Sequence, residues 1–131
     1  MTNQLPTQQI PRTQWTSFFD SFSRQHEGWI ASLEVFSTDL GAQQEADELP
    51  FEGISVDTTN DELQAVVISI GKPPVEHVTH TINQPKRVWL QRTSDGADES
   101  LEIEAADNSK ILLRFRSPVP PELVDGVVRD R

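Results

Sequence analysis

Cysteine is absent from the 131-residue chain, which excludes disulfides, thiolate metal sites and a cysteine nucleophile together. No apolar run approaches the about 18 residues a membrane span needs. The polar start, Met1 to Gln9, lacks the charged and apolar parts of a secretory signal, so a cytoplasmic location is expected. Basic residues are scarce, 11 against 21 acidic ones for a net charge of −10. That balance opposes non-specific binding to nucleic acid or to an anionic membrane surface, and neither is expected as a partner. Phosphate loops are missing too: Gly71-Lys72 has no upstream glycine at the required spacing and is followed by Pro73 instead of a hydroxyl residue. Gly53-Ile54-Ser55-Val56-Asp57 carries Asp where a nucleophile elbow carries its second glycine, and no helix pattern follows it. The acidic stretches 57–62 and 95–99 lack the alternating oxygen ligands and central glycine of a calcium loop. No cofactor is expected.

What is present is strongest between Glu99 and Ser117. Leu101, Ile103 and Ala105 alternate with Glu102 and Glu104, and after a polar break Ile111, Leu113 and Phe115 alternate with Leu112, Arg114 and Arg116. This is the period-two pattern of a β-hairpin with one apolar face. All the inward positions are odd-numbered, so the loop joining the strands must hold an odd number of residues. A three-residue connection with Asn108 or Ser109 left-handed meets that condition. On the outer face, Glu102 and Glu104 are expected to form a solvated ladder with Arg114 and Arg116.

Upstream, Trp15, Phe18, Phe19 and Phe22 recur at helical spacing, predicting an amphipathic helix from Thr13, as N-cap, to about His26, stopped by Gly28. A strand is expected over Trp29 to Phe36, a polar loop over Asp39 to Asp47, and then a strand whose apolar phase switches from Leu49 and Phe51 to Ile54 and Val56. Gly53 lies at the switch and predicts a bulge. Further strands are expected over Leu63 to Ile70, Val75 to Ile82 and Arg87 to Arg92. The architecture is therefore α+β, an N-terminal amphipathic helix packed on a bent, mostly antiparallel sheet or small open barrel of six to seven strands. Residues 1–12 are expected to be a flexible segment, 13–117 a single globular domain, and 118–131 an extended tail with a possible helical turn at Glu122 to Asp125.

Several strings in this pattern are distinctive: Phe18-Phe19-Asp20, Phe22 to Trp29, Leu49-Pro50-Phe51-Glu52-Gly53-Ile54, His77-Val78-Thr79-His80-Thr81-Ile82, Gly96-Ala97-Asp98 and Leu112 to Pro118. Together they resemble a family of small bacterial proteins known only as a domain of unknown function, over roughly residues 10–126. The resemblance implies a bacterial origin and brings no catalytic or binding residue with it.

The chemistry-bearing residues are few. Of the three histidines, His77 and His80 are three apart, which on a strand puts them on opposite faces and unable to chelate one metal. His80 shares a face with Val78 and Ile82 and is expected to be the buried histidine, with His26 and His77 at the surface. A site joining His26, His80 and a carboxylate such as Glu27 is the alternative, enzymatic reading: a small hydrolase or metal-dependent enzyme. Glu102 and Glu104 are spaced for paired-carboxylate hydrolysis, but neighbouring arginines would lower their pKa values, the reverse of what a general acid requires. The remaining feature is a basic cluster around a tryptophan, made of Lys86, Arg87, Trp89, Arg92, Arg114 and Arg116, in an otherwise acidic chain. It is a candidate contact patch for an acidic protein partner or for a second copy of the chain. The expected function is accordingly a non-enzymatic interaction or accessory module.

Overall fold

In the computed structural model, which describes residues 7–72, 74 and 76–116, the chain forms one short helix and an eight-stranded antiparallel sheet. The strands are β1 (Thr7–Gln9), β2 (Ile30–Ser37), β3 (Gly41–Thr59), β4 (Glu62–Lys72), β5 (Glu76–Asn83), β6 (Pro85–Arg92), β7 (Asp98–Ala105) and β8 (Lys110–Phe115). The helix α1 (Trp15–His26) follows a 3-10 turn at Arg12–Gln14. Spatial order in the sheet is β1-β6-β7-β8-β2-β3-β4-β5. This is the expected α+β architecture with one strand more than the six to seven expected. The extra strand is β1, built by residues 7–9 of the segment expected to be flexible. It pairs with β6 from Thr7↔Gln91 to Gln9↔Trp89. The tail expected over 118–131 lies outside the described residues.

The sheet is rolled, and chain connectivity shows why. β5 lies at one end of the strand order and β6 next to the other end, yet only Gln84 separates them in sequence. One residue advances the chain by about 3.8 Å, so the two ends of the sheet must come together. Gln84 makes this corner at φ 53°; its N–H donates to the Gln64 carbonyl and its own carbonyl accepts from the Ala106 N–H. The long strand β3 belongs to both halves of the roll, pairing with β2 through residues 41–50 and with β4 through residues 51–59. Its register slips between Phe51 and Gly53, the bulge the phase change predicts.

The core fills the roll. Leu101, Ile103, Ala105, Ile111, Leu113 and Phe115 are all buried, and their register, Leu101↔Leu113 and Ile103↔Ile111, is the odd-loop register the sequence requires. Ala105 and Ser109 bracket a three-residue loop, closed by the Ala105 N–H donating to the Ser109 carbonyl, with Asn108 left-handed at φ 71°. The outer-face ladder, however, is not formed. Glu102 stands opposite Leu112 and Glu104 opposite Lys110, while Arg114 faces Ser100, because the three-residue loop sets the arginines one or two pairs farther along than the glutamates.

Helix α1 closes the roll. Trp15, Phe19 and Phe22 are buried, each worth about 1.5–3 kcal/mol on removal from water, and the Trp15 indole donates to the Ile10 carbonyl. Thr13 is not the N-cap; it lies in the 3-10 turn, and the cap position, Gln14, uses no side-chain hydrogen bond. At the other end Gly28, at φ 88°, turns the chain and donates its N–H to Phe51. The polar stretch expected as a loop, Asp39 to Asp47, is strand from Gly41 onward. Its backbone is satisfied by β2 while most of its side chains remain in water, so the ladder decides the conformation without an apolar pattern. Gly71 is required for its backbone: at φ 105° an added Cβ would lie 2.1 Å from the Glu76 carbonyl oxygen. Among the described residues no helix is long and apolar enough to cross a membrane.

Candidate functional site

Two of the three histidines, His26 and His80, occupy environments other than those expected. His26 is the buried one, 3 % exposed, whereas His80 is half-buried and His77 is exposed. The helical stripe explains the reversal, because position 26 follows Phe22 by four residues, Phe19 by seven and Trp15 by eleven, on the same face. That spacing was legible in the sequence and marks His26 as a core residue. Its ring is stacked on Phe115 at 4.9 Å and edge-on to Trp29 at 4.5 Å.

Both ring nitrogens of His26 are engaged. Nδ1 lies 2.7 Å from the Phe22 carbonyl oxygen, which only accepts, so Nδ1 carries a proton. Nε2 lies 3.0 Å from Asp98 Oδ2, again an acceptor, so this contact is favourable when Nε2 is protonated as well. Both contacts lie in the last turn of α1. Asp98 in turn accepts from Arg92 Nε at 3.0 Å, and Arg92 Nη1 reaches Gln8 at 3.2 Å. Burial alone would push the Asp98 carboxyl up; hydrogen bonding and charge from His26, with Arg92 added, outweigh it and hold the group below its ordinary value. A four-member seam thus ties α1, β7, β6 and β1 together.

This seam does not have the layout of a catalytic or metal site. With both ring nitrogens held in contacts inside the fold, to the Phe22 carbonyl and to Asp98, His26 presents neither to a metal nor to a substrate. Its carboxylate is Asp98, not Glu27, and His80, on β5 opposite Ile68, takes no part in the hydrogen bonds of the seam. Among the described residues no three His, Asp or Glu side chains are grouped as metal ligands. The enzymatic reading through His26 and His80 therefore has no geometry to support it. Glu104 is unsuited to acid catalysis as well, since the hydrogen bond from Arg87, at 2.9 Å, holds its carboxyl below the usual range.

The basic cluster separates into three groups. Arg92 belongs to the seam. Arg116 extends to Glu48 at 2.6 Å, and Arg87 is bound to Glu104. Lys86 and Arg114 are exposed and form no salt bridge among the described residues. Trp89 lies on the outer face of the sheet, half-buried, between Gln9 of β1 and Glu102 of β7. It lines a hollow of about 180 Å³ with Gln91, Ser100, Glu102 and Leu112. Following the registers across the same face leads from Leu112 to Glu34 and from Lys110 to Phe36, and Phe36 is 37 % exposed. Helix α1 packs on β3 and covers none of this face. Sequence spacing did not reveal the pairing of Arg92 with Asp98, because that contact depends on the register slip between Gln91 and Arg92.

Comparison with known proteins gives the chain relatives without giving it a role. The model of a family of unknown function, DUF5335, matches residues 6–122. An uncharacterized protein of Aquifex aeolicus (strain VF5) is 26% identical over 116 residues, covering 88% of this chain and 97% of that protein. No solved structure matches.

Proposed function

Because the chain belongs to this family of unknown function, its role has to be read from its own surface, and we propose that it is a non-enzymatic protein-interaction or accessory module of the bacterial cytoplasm. The observation that carries the reading is Trp89, a large aromatic side chain left half-exposed on a sheet face that no helix covers among the described residues. Tryptophan is among the residues that most often anchor protein contacts, since it supplies a large rigid apolar surface with one polar N–H. Leu112 and Phe36 extend the apolar part of the face, and Lys86 and Arg114 lie at its margins with no salt bridge among the described residues. The partner that fits is a protein presenting an apolar patch rimmed by carboxylates.

The test is capture from a lysate of the source bacterium by the immobilised chain, followed by titration with the purified captured protein. Trp89→Ala and Arg114→Glu are each expected to weaken that complex about tenfold or more, with far-UV circular dichroism and thermal midpoint close to those of the parent. Unfolding of Trp89→Ala would make Trp89 a core residue and remove the face from consideration. Sedimentation of the chain alone distinguishes a foreign partner from a second copy: a Trp89-dependent dimer would assign the face to self-association.

A further inference from the structure

In a region that shares no lining residue with the Trp89 hollow, α1 takes the place of a strand beside β3. Past Pro50, β2 no longer pairs with β3, and the vacated edge is met first by backbone and then by the helix. The Phe51 N–H donates to Trp29. Two bonds then join Ser23 to Ile54: the Ile54 N–H donates to Ser23 Oγ at 2.9 Å, and the hydroxyl donates to the Ile54 carbonyl at 3.0 Å. A single serine therefore satisfies both backbone groups that a neighbouring strand would have satisfied.

Those two bonds fix the phase of the edge. Ile54 points its N–H and C=O away from β4, and the β3–β4 register runs unbroken from Ile54↔Ile68 to Asp57↔Ala65. In an antiparallel ladder, bonded and non-bonded pairs alternate, so Val56 also directs its N–H and C=O to the outer edge. The phase on β4 agrees, since the Gln64 carbonyl accepts from Gln84 on the β5 side. No side chain or backbone group of the described residues hydrogen-bonds Val56 on that edge. What faces it is a groove of about 710 Å³ between α1 and the β3–β4 pair, with Val56 and Val67 on the strand wall and Thr16 and Ser17 on the helix wall. Its two charged lining residues, Asp20 and Glu52, are both acidic. Each already has an exposed partner beside it, Arg24 and His77 respectively, and such surface pairs exchange partners at little cost.

We infer that this groove binds an extended, basic peptide segment of another protein, which adds to the Val56 edge of β3 as a short strand and sets a Lys or Arg side chain against Asp20 or Glu52. Strand addition supplies main-chain bonds, and the groove walls supply selectivity for the side chains. The site is separate from the Trp89 face, so failure of one leaves the other standing.

The probe is an acetylated octapeptide alternating valine and arginine, with a valine–glutamate octapeptide as control, titrated into the 15N-labelled full chain. In the free protein the Val56 amide is expected to exchange with solvent about tenfold or more faster than the ladder amides Ser55 and Asp57. Saturation with the basic peptide should slow Val56 exchange about tenfold and shift the resonances of Val56, Thr16 and Asp20. Thr16→Trp, at an exposed helix position, should fill the groove and abolish binding with the helix content unchanged. Asp20→Asn combined with Glu52→Gln should weaken binding about fivefold and flatten its salt dependence, while Trp89→Ala leaves it unchanged. Strong protection of Val56 in the free protein, absence of a saturable shift at millimolar peptide, equal binding of the acidic control, or shifts clustered around Trp89 would each overturn the inference.

Discussion

Two histidine–carboxylate pairs in this molecule invert the usual relation between distance and importance. His77 lies 2.6 Å from Glu52, the shorter contact, but with side chains 32 % and 53 % exposed; His26 lies 3.0 Å from Asp98, with side chains 3 % and 16 % exposed. In the open pair, water competes for every hydrogen bond and salt screens the charges, so little net energy results. In the enclosed pair, burial limits competition from water, and removing the carboxylate leaves His26 Nε2 without its partner in the core. Burial and second partners, rather than separation, therefore decide which pair the fold depends on. The enclosed pair has both: Phe22 and Phe115 on the imidazole, and Arg92 on the carboxylate.

The sharpest contrast should come from deletion of each imidazole. His26→Ala removes a buried ring stacked on Phe115 and one of the two partners of Asp98, and is expected to lower stability by about 3–5 kcal/mol in urea unfolding. Replacement of the carboxylate is milder: Asp98→Asn keeps shape and one acceptor, and should cost about 2–3 kcal/mol. The comparison extends to pH. Because the Asp98 carboxyl is held below its ordinary value in the folded state, its stabilisation is fully present above the unfolded value of about 3.9. It is lost as pH falls through the lower folded value. Acid unfolding of the parent should therefore show a stability loss below about pH 4 that Asp98→Asn lacks; parallel curves would mean the seam is not ionised as described. The smallest effect belongs to the open pair: His77→Ala should change stability by less than about 0.5 kcal/mol. A cost comparable to that of His26→Ala would break the comparison.

The same division between local and non-local information governs how much could be read from the residues in order. The hairpin's apolar alternation and parity determined its register and its three-residue loop, since both are consequences of a repeat of two within a dozen residues. The aromatic spacing determined α1, and extending it by one turn would have placed His26 in the core. Polar residues 41–48 carried no periodic signal, and only their hydrogen bonds to β2 make them strand. Nothing local to Asp98 links it to a residue 72 positions earlier, and nothing local to Val56 says that the neighbouring strand has ended and a helix has taken its place. The groove shares that property, because each wall is ordinary by itself.

By itself the sequence determined the elements whose causes are short-ranged: the apolar stripe of α1, the alternation of β7 and β8, and the bulge at Gly53. Only the tertiary structure decided which side chains became partners across the rolled sheet, because a one-residue connection at Gln84 brings the ends of the sheet together. That closure buries His26 against Asp98 and, among the described residues, leaves the Trp89 face uncovered and the groove beside Val56 open.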